Sequence, residues 1–581
     1  MFRSIVVVVL PLLAPTLMAA PAPTTSPADA LLVEARQALQ SGKLADHAKT
    51  VEAKLQPLLS NLDAPDRAQL VRLVVLREMS SFFSRIEKPD DPSKQSLAWL
   101  LEHPRVLDTL MLAVSEQDAP DRVLAVLSSL RNSSAKQLDE FPDLVAALCV
   151  VWDAPLKLAE SDNLRADVEQ PAWLFRYYAS SRKKLRFDPQ ALPWELAVYV
   201  VDNVVSQEEV AWAVQRYAGR GAVGSSYFDV PYDYSVFTNG SHKLIDGTAY
   251  TLMNLARVGG ICGDQAYFAS NVARSLGVPA CSAVGIGGAM EGTAHAWVGF
   301  LETKGGRAAW NFSEGRYPEL QYWRGAVQDP RTRDRVTDSD VALLAELLNS
   351  PPQDRLLSSA LCKASDLVQP ERRADLLVRA INLSPGNRAA WTALAEMGAD
   401  RKLTDAQMTQ AMQVVAKFAA KQYPDFAFAL IRRLNGGRGS EQQMRALKEA
   451  RGLFPQRPDI QAAIRLAEGD LLKDQQKPAP ALAAYAEVLQ RYNNAGPIVL
   501  EALDRMDALL REHNELRRLA DIYRDAWQRF PQPTRGGYIR STPYYLVAER
   551  YMALLNEIGN TAEAERVKQR LDALIVGPRR R

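Results

Sequence analysis

The chain has 581 residues, 47% of them apolar and 24% charged, with 70 basic side chains against 68 acidic ones. That length exceeds what one hydrophobic core supports, and the composition is that of a soluble globular protein with several domains. The net charge of +2 lacks the basic excess on which nucleic-acid binding depends, so no nucleic-acid partner is expected.

The N-terminus, MFRSIVVVVLPLLAPTLMAAPAPTTSPADA, puts Arg3 ahead of an apolar run from Ile5 to about Leu17, then small residues. This is the plan of a secretory signal peptide over residues 1–20, followed by a linker over 21–28. The run is too short and too interrupted by proline to span a bilayer. The expectation is an exported protein, periplasmic or extracellular, with no membrane span in the mature chain. Residues 29–190 repeat leucine and valine at three- and four-residue steps and read as a helical domain.

Between 191 and 332 the texture changes. A Tyr- and Gly-rich stretch, VPYDYSVFTNGSHKLIDGTAY, precedes a helical pattern and three strand-like runs, VPACSAVGI, TAHAWVGFLE and RAAWNFSE. Helix first and sheet after implies an α+β domain. From 333 to the end the helical period returns. Pro385, Pro424, Pro455, Asn493 and Pro531 mark helix ends at steps of 39, 31, 38 and 38 residues. That spacing is close to a helical-hairpin repeat. The unit AINLSPGNRAAWTALAEMG, Ala380 to Gly398, resembles a tetratricopeptide repeat. The expected fold is therefore mostly α, with a central α+β domain between helical arrays.

The chain holds four cysteines, at 149, 262, 281 and 362. Cys149 lies in a continuous apolar run and reads as core, and Cys281 as a small hydrophobe in a strand. Cys262 differs: it follows Gly259-Gly260 and stands at the start of a helix whose Ala266, Ala269, Val272, Ala273 and Leu276 share one face. Unpaired amides and the dipole at a helix N-terminus favour a thiolate, and the same amides can hold an oxyanion. A structural thiol, or a disulfide to Cys281, is the plainer alternative. His295 is the base expected for Cys262, because alternation in TAHAWVGF sets His295, Trp297 and Gly299 against an apolar face of Ala294, Ala296, Val298 and Phe300. A third group would orient His295. If Gly305-Gly306 is a hairpin turn, paired residue numbers sum to 611, which sets Glu314 on the His295 face and Asn311 on the other. A bulge would reverse that choice, so both residues stay candidates.

GGICGDQAYFASNVARSLGVPA, AHAWVGF and WNFSEGR occur in that order, and together they resemble the transglutaminase-like superfamily of papain-type cysteine enzymes. The resemblance covers about Trp194 to Arg331. It implies Cys262 as nucleophile, His295 as base and Glu314, four residues after Trp310, in the place where the family usually has aspartate. It also implies a papain-like fold and an activity on amide bonds of a protein or peptide, by hydrolysis or transamidation through a thioester. No cofactor and no metal are expected, since no ligand cluster stands out. The rival reading is an inactive scaffold that binds a protein or peptide partner on its helical repeats.

Overall fold

The computed structural model describes residues 27–60, 67–157, 164–165, 169–237, 242–286, 294–317, 323–493, 497–533 and 539–576. Residues 1–20, expected as a leader, and most of the expected linker lie outside these. The first helix already begins at Pro27, inside the stretch read as linker. The fold is mostly helical, with a small five-stranded antiparallel sheet and a two-stranded pairing of Leu156–Lys157 with Leu164–Arg165, and no described helix is long and apolar enough to cross a membrane.

Seven α-helices run from Pro27–Gln40 to Pro142–Val151. The last of them, PDLVAALCVV, has no polar face and is buried on every side, Cys149 included. It packs against the short helix α1 (Trp194–Val201), which is similarly apolar. After Pro352 the chain is a succession of helices packed on their neighbours as far as Thr561–Val576, with Arg388–Ala399 packed on Pro424–Asn435 more than on the helix that follows it. In the unit around Ala380, helix Pro370–Leu383 ends before a proline turn. Asn387 then caps helix Arg388–Ala399 by accepting the Ala390 amide at 3.1 Å. Trp391 reaches back to the Pro385 carbonyl at 2.9 Å, which ties the turn to the second helix.

Between these arrays stand helix α2 (Cys262–Ser275) and a five-stranded sheet. Its strands are β1 (Ala280–Ile286), β2 (Ala294–Lys304), β3 (Arg307–Asn311), β4 (Ala326–Gln328) and β5 (Arg335–Thr337), all antiparallel, in the order β3-β2-β1-β4-β5. The β2–β3 hairpin turns at Gly305-Gly306, both at positive φ, and pairs Lys304 with Arg307 and Phe300 with Asn311. β4 and β5 are three residues each and carry no alternating run that would have revealed them.

The two sheet faces bury against different partners. Ala296, Val298 and Phe300 face Ala266, Ala269, Val272 and Ala273 of α2. Trp297, Leu301, Cys281, Ala283 and Val327 face the large core shared by the N-terminal helices and the first C-terminal ones. That core runs from Leu31 to Leu471, so the boundaries read at 190 and 332 divide texture but not hydrophobic core. A second core, from Ala462 to Leu571, serves the terminal helices.

Candidate active site

The paired glycines before Cys262 have a steric reason. Gly259 sits at φ 102°, and a β-carbon there would lie 2.6 Å from the Pro231 carbonyl oxygen. Without one, the two segments run side by side: the Gly260 amide donates to Pro231 at 2.9 Å and the Asp233 amide to Gly260 at 2.9 Å. Cys262 then opens α2. The Asp264 carboxylate turns back on the helix start and accepts the Ile261 amide at 2.8 Å, the Tyr250 hydroxyl at 2.7 Å and the Lys243 ammonium at 3.0 Å. Asp264 is buried, so these donors replace its lost water. The role of Asp264 as a hub needs Lys243 and Tyr250, which no local pattern announces.

The edge of β2 beyond β3 positions the sulfur. There the Ala296 carbonyl accepts the buried Tyr227 hydroxyl at 2.8 Å, and the Val298 amide donates to the Glu314 carbonyl at 3.3 Å. The Ala296 amide addresses the Cys262 sulfur. The thiol therefore stands level with the residue next to His295, about 3.8 Å along the backbone. The ring of His295 meets the Gly315 carbonyl through Nε2 at 2.6 Å, and it lies tilted against Tyr317 with centroids 5.0 Å apart. A carbonyl only accepts, so Nε2 carries the proton and Nδ1 of the neutral ring is the basic nitrogen.

The carboxylate expected to orient that ring does not make this contact. The 611 register holds down to Phe300–Asn311, where β3 ends. Beyond it, Val298 meets Glu314, one residue out of step. That offset carries the Glu314 side chain to Gly224, beside the Phe300 ring, on the face opposite His295. Gly315, the next residue, supplies the acceptor instead. Asn311 is not brought to the ring either. It pairs with Phe300, five residues or about 16 Å along β2 from His295. Its side chain accepts from the Ser313 amide at 2.9 Å and donates to Glu302 at 3.3 Å.

No family model, no curated protein and no solved structure matches this chain.

The electrostatics also depart from expectation. Burial pushes the Cys262 thiol up, and the amides of Ala296, Gly263 and Cys262 offset this only in part, while the Asp264 charge adds to it. Desolvation outweighs the helix terminus, so the resting group is the thiol and not the thiolate predicted from its position. Burial also lowers His295, against the stabilising Gly315 carbonyl. Both residues thus rest neutral. All four cysteines are free, and Cys262 forms no bridge to Cys281. Cys281 and Cys149 are buried and pushed far up, and burial raises Cys362 to about 12. Among the described residues no three His, Cys, Asp or Glu side chains cluster as metal ligands would.

Proposed function

We propose that the central region is a transglutaminase-like core, and that this is an exported cysteine enzyme acting on amide bonds of a protein or peptide. The neutral His295 takes the thiol proton as the Cys262 sulfur attacks the carbonyl carbon. The amides of Gly263 and Ala296 that face the sulfur are the donors available to the oxyanion. Collapse breaks the C–N bond, the imidazolium protonates the departing amine, and a thioester remains. Water then releases the acid and regenerates the thiol; an amine in its place would give a new amide. The observation that supports this reading is the interaction of the Cys262 thiol with the amide of Ala296, the residue that follows His295 in β2.

Alkylation by iodoacetamide, mapped by mass spectrometry, tests it. Cys262 is expected to react at least about tenfold faster than Cys149, Cys281 or Cys362, and His295→Ala to slow it by a similar factor. Equal rates at Cys262 and Cys362, or no effect of His295→Ala, would overturn the reading. A scaffold without catalysis is the second reading. It is favoured by a groove of about 420 Å³ between Trp323 and the helices carrying Phe428 and Leu466, where such a partner would dock.

A further inference from the structure

Among the described residues six large apolar side chains are exposed, and four of them stand on segments linked to β2 or to the start of α2: Phe228 at 54%, Tyr234 at 73%, Leu244 at 54% and Val284 at 48%. Each sits on a segment tied to the nucleophile. Phe228 follows Tyr227, whose hydroxyl bonds the Ala296 carbonyl. Tyr234 leans on Tyr232, with centroids 4.9 Å apart, and Tyr232 bridges to Gly260. The Leu244 amide donates to Asp233 at 2.7 Å, beside Lys243, which holds Asp264. Val284 is the β1 partner of Ala296, on the face that α2 covers only farther along. Scattered exposed hydrophobes need no explanation, but a rim of them around one reactive group does. The charges in between are already engaged: Lys243 with Asp264, Asp233 with Ser235 and Leu244, and Arg220 with Asp229.

We infer that the substrate presents a large apolar side chain, aromatic or branched aliphatic, within a residue or two of the attacked carbonyl. This rests on Cys262 being the nucleophile. Covering the rim with such a side chain removes apolar surface on both partners from water, and full burial of one phenylalanine or leucine corresponds to about tenfold or more in binding.

Two tripeptidyl chloromethyl ketones, identical except for Phe or Ser beside the warhead, test this on the full chain. In each, the Cys262 sulfur bonds the methylene carbon and chloride leaves. The Phe probe is expected to modify Cys262 at least about tenfold faster than the Ser probe, with the ratio falling to about threefold or less in Tyr234→Ser/Leu244→Ser. Both positions are half exposed or more, and a ratio of two rates within one variant is insensitive to partial loss of folded protein. Equal rates in the unaltered protein, or a preference that survives the double substitution, would sink the inference. Failure of the catalytic reading is seen separately, as iodoacetamide rates at Cys262 that do not depend on His295, and it removes the inference with it.

Discussion

At the scale of the residue, the chemistry turns on a competition that position alone does not reveal. A cysteine that opens a helix is expected to ionise easily, because amides and dipole meet the charge. Here Cys262 is shielded enough that desolvation prevails, and His295, partly buried as well, is held neutral. A pH profile separates this state from a resting ion pair. The rate of Cys262 alkylation should climb through and beyond the ordinary thiol range near 8.5, since a raised pKa leaves little thiolate at neutrality. A plateau reached below pH 7 would show a resting thiolate–imidazolium pair instead. The local elements were legible: the glycines, the helix that starts at Cys262 and the strand through His295 each leave a local signature. The protonation state was not, because burial depends on Tyr227, Ala296 and Gly315 closing in from elsewhere in the chain.

At the scale of the element, one slipped residue redistributes the roles. The Gly305-Gly306 turn fixes a register that can be counted from sequence, and it holds for all of β3. A strand that ends early and a chain that resumes one place out of step leave no signature, so the count misassigns Glu314. Gly315 then carries a conformation and a contact that no other residue can supply. Its φ is 79°, and a β-carbon would lie 2.6–2.8 Å from the Tyr227 ring. Gly315→Ala should therefore displace both the carbonyl that holds His295 and the Tyr227 hydroxyl that holds Ala296, at a cost of at least about 1 kcal/mol in stability. Alkylation of Cys262 should slow severalfold. Glu314→Gln should change that rate less than about twofold, because only its backbone takes part. The opposite ranking, measured with the same reagent, would restore the carboxylate to the site.

At the scale of the whole molecule, the turn between β4 and β5 ties together parts that sequence texture separates. Asp329 pairs with Arg388 of the C-terminal array, Arg331 with Asp118 of the N-terminal one at 2.7 Å, and Arg333 with Asp202 at 3.0 Å. Asp153 lies next to this clasp, buried, accepting the Ala119 amide at 3.0 Å. Burial first, and then the charge of the neighbouring Asp118, raise its pKa to about 6 against the pull of that amide, Arg331 and Arg122. A carboxyl whose folded pKa lies above its unfolded value destabilises the fold once ionised, so its contribution is lost as pH rises from about 4 through 6. Asp153→Asn keeps the acceptor and removes the charge. At pH 8 it should stabilise the protein by on the order of 2 kcal/mol, with the gain shrinking towards pH 5, as read by thermal unfolding at the two pH values. A gain independent of pH would refute the assignment.

The same continuity bears on any attempt to isolate the reactive part. The sheet face that carries Trp297, Leu301 and Cys281 is closed off by helices from outside 191–332, and α1 leans on the helix that ends at Val151. A recombinant fragment trimmed to the apparent catalytic segment would emerge with its back uncovered and stick to its own copies. Useful preparations need the flanking arrays left on, which makes them part of the protein's working body and not detachable accessories.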